Sequence, residues 1–73
     1  MTFIDTYIAR RLSCIRTERK ITQQQLADEV GLNVRQIQKY EHGINRVSAS
    51  RLYQMSLLFN CNIEDFFPIL QKR

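Results

Sequence analysis

The residues best equipped for chemistry lie together between Asn33 and His42, in the run Asn-Val-Arg-Gln-Ile-Gln-Lys-Tyr-Glu-His. Laid on a helix of 3.6 residues per turn, Arg35, Gln38, Lys39 and His42 share one face, with Val34 and Gln36 at its edges. That face carries hydrogen-bond donors and no acid. Arg can form two bonds to O6 and N7 of guanine, Gln can pair similarly with adenine, and Val34, near the helix start, can touch a thymine methyl. An ordinary solvated helix mixes both signs of charge. A helix face without acids suits duplex DNA, whose major groove admits an α-helix. Glu41 falls on the opposite, inward side, beside Ile37 and Tyr40. His42 is the sole histidine and reads as a surface or phosphate-contacting residue.

Other chemistries find no support. One His and two distant cysteines, Cys14 and Cys61, make neither a structural zinc site nor a catalytic constellation. Each cysteine sits in an apolar run and reads as a small buried hydrophobe rather than half of a disulfide. No enzyme activity, metal or cofactor is expected. No apolar run approaches the 18 or so residues of a membrane span. Met1 to Asp5 lacks the basic start and apolar stretch of a signal peptide, so a cytoplasmic location is expected. The net charge of +4 fits a nucleic-acid partner and equally a solvated surface. The arrangement of the charges has to decide between them.

The elements that must position Asn33 to His42 are helices. The chain has 73 residues, only two Gly and one Pro, and no alternating apolar pattern. Apolar Ile4, Ile8, Leu12 and Ile15 mark one face of a helix over about Asp5 to Arg19. Thr22 and Gln25 form a capping-box pattern opening a second helix, Gln23 to about Glu29, with Leu26, Ala27 and Val30 inward. Gly31 ends it as a left-handed residue. Asn33 caps the third helix, and Gly43 stops it after His42. Ser48 or Ser50 starts a fourth helix, with Leu52, Met55, Leu58 and Phe59 buried and Asn60 at its left-handed end. Asn62 and Asp65 frame a short fifth helix before Pro68. The expected fold is an all-α compact bundle of five short helices forming one domain over residues 1–73. Its core spans about 8–67, and the tail 71–73 is frayed.

The second and third helices are joined by a short turn containing Gly31, which is the sequence form of a helix-turn-helix. Gln23, at the first position of the second helix, and the free N–H groups there can hold a phosphate. Arg46, in the loop after the third helix, can reach the same strand. Such contacts set register without reading sequence.

The segments Ile8-Ala9-Arg10-Arg11-Leu12, Ile15-Arg16, Ile21 to Ala27, Gly31, Ile37 and Tyr40-Glu41-His42-Gly43, continued by Leu52, Met55, Phe59, Cys61 and Phe66-Phe67, resemble the Cro and phage-repressor type (XRE) helix-turn-helix family. The resemblance implies a lambda-repressor-like DNA-binding domain. It makes Gln23 a phosphate contact and Val34, Arg35 and Lys39 base-reading positions, with Asn33 and Gln38 close by. It also implies a buried salt bridge between Arg16 and Glu41, which the inward position of Glu41 supports independently. Lys20 and Asn60 depart from the family pattern where Gly is common, and His42 where Asn is frequent.

A single recognition helix reads few bases. Family members pair so that two helices meet half-sites about 34 Å apart. A homodimer on double-stranded DNA is therefore expected, with Leu57, Phe67, Ile69 and Leu70 as its interface; capping of the monomer core is the other use for these residues. No small-molecule effector or membrane partner is expected. The rival reading is a protein-interaction module, such as an antitoxin-type partner binder, that keeps the fold without DNA binding. Arg35 and Lys39 argue against it.

Overall fold

Thr2 opens the first helix. Its hydroxyl accepts from the Asp5 N–H at 3.2 Å, while the Asp5 carboxylate accepts from the Thr2 N–H at 2.9 Å, a reciprocal cap. The computed structural model describes residues 2–69. Among them are four α-helices: α1 Phe3–Glu18, α2 Gln23–Val30, α3 Val34–Glu41 and α4 Ala49–Phe59. They are followed by a single 3-10 turn, Ile63–Phe66. The helical class matches expectation, but the fifth helix does not form as an α-helix. Asp65 N–H bonds to the Asn62 carbonyl and Phe67 N–H to the Glu64 carbonyl, three residues back. Pro68 then lacks the N–H needed to continue. Leu70 and the tail 71–73 lie outside the described residues.

All four α-helices end the same way. A residue of positive φ (Lys20 57°, Gly31 73°, Gly43 71°, Asn60 54°) follows the last turn. The next N–H then reaches the carbonyl five residues back: Ile21 to Arg16, Leu32 to Ala27, Ile44 to Lys39 and Cys61 to Ser56, at 2.9–3.1 Å. These bonds satisfy carbonyls that a helix end would otherwise leave unpaired. At Lys20 the side chain clashes with left-handed backbone, which costs about 1–2 kcal/mol.

The core joins one stripe from each helix. Leu12 and Ile15 of α1 meet Leu26, Ala27 and Val30 of α2, Ile37 and Tyr40 of α3, and Leu52, Met55 and Phe59 of α4, with Phe66 closing the end. Fully burying one such side chain contributes about 1.5–3 kcal/mol. Ile37 is the element-defining residue of α3: fully buried, it presses the inner face of that short helix onto the core. Ile37→Ala would cost about 2–5 kcal/mol and loosen the outer face as well.

Two apolar residues expected inside are exposed, and Leu58 is half-buried rather than buried, packed at the edge of the core. Ile4 is exposed, because α1 starts at Phe3 and its first turn overhangs the core. Cys14 is exposed too, since the buried stripe runs through Leu12 and Ile15 and position 14 turns away from it. Cys61 is half-buried, and both thiols are free.

Candidate nucleic-acid interface

The short connection Gly31-Leu32-Asn33 sets α3 against α2. The left-handed Gly31 turns the chain, and the Asn33 side chain then accepts from the Gln36 N–H at 2.9 Å to start α3. Leu26, Val30, Ile37 and Tyr40 are all buried and hold the two helices together. With Ile37 and Tyr40 fixed inward, Arg35, Gln38, Lys39 and His42 are exposed on the outer side. Val34 and Gln36 are half-buried, and Val34 packs partly against the core. No acid among the described residues shares the outer face. The only acid of α3, Glu41, points the other way.

Glu41 is the hub behind this face. Its carboxylate accepts from Arg16 Nε at 2.6 Å and Nη2 at 3.1 Å, and from the Gln23 side-chain amide at 3.0 Å. The Arg16 and Glu41 side chains are only 12% and 5% exposed. Arg16 donates once more, to the Ile21 carbonyl at 2.8 Å. One carboxylate thus ties α1, the entry to α2 and the end of α3. The two-bond Arg–carboxylate geometry is among the strongest of neutral-pH contacts. It also holds the Gln23 amide at the start of α2 in a fixed orientation.

Arg46 sits in the loop after α3, mostly exposed, and donates to the Asp5 carboxylate at 3.2 Å. Thr2, through its backbone N–H and its hydroxyl, and then Arg46 hold the Asp5 carboxyl below the usual carboxylate range. Sequence reasoning did not find Asp5, because nothing local signals a contact across 41 residues. Arg11, Arg19 and Arg51 likewise give no local signal of their partners. Each donates to a carbonyl at the end of another element: Arg11 to Asp65, Arg19 to Phe59 and Arg51 to Val30, at 2.8–2.9 Å. These cations complement the partial negative charge of helix C-termini. The positive charge free to meet a ligand is therefore more localised than the net charge suggests.

Leu57 lies on the exposed side of α4 and is 65% exposed, while Ile69 is wholly exposed and Phe67 partly so. Tyr53 adds to the apolar surface of α4. No three His, Cys, Asp or Glu among the described residues cluster as metal ligands would. No helix among them is long and apolar enough to cross a membrane.

Residues 15–66 match the family model described as helix-turn-helix. The chain is 39% identical over 69 residues to a transcriptional regulator in the ATPase CF(0) region of Rhodospirillum rubrum, covering 94% of this chain and 64% of that protein. The chain thus spans less than two thirds of the length of that relative. Among solved structures, the fold is similar to the restriction-modification controller protein C.AhdI from Aeromonas hydrophila. The TM-score is 0.78 at 22% identity, over 85% of this chain and 94% of that one. It is similar also to part of hydroxypropylphosphonic acid epoxidase from S. wedmorenis, with a TM-score of 0.85 at 19% identity, over 93% of this chain and 36% of that one. At such identities the likeness is one of fold alone, and the fold serves inside an enzyme as well as in a controller.

Proposed function

The chain belongs to the helix-turn-helix family, and from that premise we propose that it is a sequence-specific DNA-binding transcriptional regulator whose α3 lies in the major groove. The observation that carries this reading is the outer face of α3, where Arg35, Gln38, Lys39 and His42 stand exposed without an acid. Arg35, Gln38 and Lys39 read base edges, and Val34 supplies an apolar edge near the helix start. Gln23, Asn33, His42 and Arg46 hold the backbone and set register. The Gln23 amide, already oriented by Glu41, has a second N–H to offer a phosphate. Asn33 contributes chiefly by capping α3, so that the first-turn N–H groups face the DNA at a defined angle. Arg46 shares its guanidinium between Asp5 and a phosphate.

The protein acts as a homodimer in the cytoplasm, through an apolar surface of Leu57, Phe67 and Ile69, with Leu70 beyond the described residues. Exposed apolar side chains on so small a domain favour a partner. Two α3 helices then meet half-sites about one helical turn apart. Occupancy is set by the amount of protein rather than by a small-molecule effector.

The test is selection of bound duplexes from a random pool at near-physiological salt. Enrichment of an inverted repeat with centres about 34 Å apart is expected. A single unrepeated half-site would remove the dimer. No enrichment, with retention that merely fades as salt rises, would overturn sequence-specific binding and favour a protein-interaction module.

A further inference from the structure

α1 runs alongside the end of α3, and between them lies an open cleft of about 230 Å³ lined by Thr6, Ala9, Arg10, Glu41, His42 and Gly43. A water occupies about 30 Å³ in the liquid, so the cleft admits a group several waters in size. Of the arginines on α1, Arg11 and Arg16 are fastened to protein acceptors, whereas Arg10 is exposed and donates to none among the described residues. The acids nearby are already occupied. Glu41 is neutralised by Arg16 and bonded by Gln23, and Asp5, further toward the start of α1, is engaged by Thr2 and Arg46. Arg10 therefore faces an open, polar cleft beside His42, at the rim of the outer face of α3.

We propose that this cleft takes a DNA backbone phosphate, with Arg10 as its principal donor, which extends the footprint from α3 onto α1. The inference rests on the DNA-binding reading above. Arg10 clamps the duplex beyond the end of α3 and contributes affinity without sequence preference, as phosphate contacts do.

The experiment is titration of a random-sequence duplex with wild-type protein, Arg10→Ala, Arg10→Lys and Arg11→Ala across roughly 50–200 mM salt. Each phosphate neutralised contributes about −0.9 to the slope of log affinity against log salt. Arg10→Ala should make that slope shallower by about 0.9, Arg10→Lys should retain it, and Arg11→Ala should leave it as in wild type although it removes the same charge from the same helix. An unchanged slope in Arg10→Ala, or equal changes in Arg10→Ala and Arg11→Ala, would overturn the clamp while leaving DNA binding intact. Wild-type protein that does not bind duplex at any salt would overturn both.

Discussion

Removing the buried Glu41 carboxylate should be among the most damaging single changes outside the apolar core. Glu41→Ala leaves Arg16, whose side chain is 12% exposed in the intact fold, with a single bond to the Ile21 carbonyl and no counter-charge. Breaking a buried pair by deleting one partner costs about 3–5 kcal/mol, because the remaining charge stays desolvated. A chain of 73 residues has a total stability of about 4–11 kcal/mol at typical values per residue. The loss is thus a large share of the whole, and at about 4–8 °C per kcal/mol it lowers the Tm by tens of degrees. Thermal and urea unfolding followed by circular dichroism would measure it. The double variant Arg16→Met with Glu41→Leu supplies the second corner of the argument: replacing both charges by apolar side chains should recover most of the loss. If Glu41→Ala costs under about 1 kcal/mol, the pair behaves as an ordinary exposed salt bridge, and the hub joining α1, α2 and α3 is misassigned.

Three further outcomes follow from local chemistry. Lys20→Gly should raise stability by about 0.5–1 kcal/mol, the relief of left-handed strain less the extra freedom of Gly in the unfolded chain; an unfolding midpoint at or below wild type would refute it. The Asp5 carboxyl titrates lower folded than unfolded, so its contribution is complete above its unfolded value of about 3.9 and disappears as pH falls through the folded value. The urea midpoints of wild type and Asp5→Asn should therefore differ at neutral pH and converge in acid, and a gap that persists in strong acid would contradict the assignment. With a thiol reagent at neutral pH, exposed Cys14 should react well before Cys61, whose thiol is pushed up by burial and then by the Asp65 charge; mass spectrometry of the labelled peptides would reveal the reverse order if the burial were wrong.

The features readable from sequence are those that a few neighbouring residues determine. Thr22 with Gln25, Gly31, Asn33 and Asn60 each signal a helix boundary through their own side chain or backbone preference, and each boundary lies where those residues stand. The Thr2 and Asp5 cap is equally local, a Thr with an acid three residues on, yet the apolar period alone starts α1 at about Asp5, two residues after its true start at Phe3. The apolar stripe of α1 is legible as a period and misleads only at its N-terminal end, where the first turn overhangs the core and leaves Ile4 in solvent. Contacts between distant elements carried no such signal. Asp5 with Arg46, Arg11 with Asp65 and Arg19 with Phe59 join positions 40 or more residues apart, and a count of positive charges cannot separate an arginine tying down a helix end from one facing solvent. The fifth α-helix does not form: the segment closes as a single 3-10 turn, and Pro68, which has no N–H to offer the Glu64 carbonyl, stops it from lengthening into an α-helix, which a capping pattern alone does not reveal.

The most direct test of groove reading by α3 uses the duplex enriched by selection. Each guanine in it is replaced in turn by 7-deazaguanine, which deletes the N7 acceptor from the major groove and leaves Watson–Crick pairing intact. Wild-type protein should lose about tenfold in affinity at one guanine per half-site, near the lower end of the about 1–3 kcal/mol that a two-bond contact discriminates. Arg35→Ala, already weakened, should be indifferent to the same replacement. If no guanine replacement weakens wild-type binding while Arg35→Ala still lowers affinity equally on every duplex, Arg35 holds the backbone and α3 does not read guanine from the major groove.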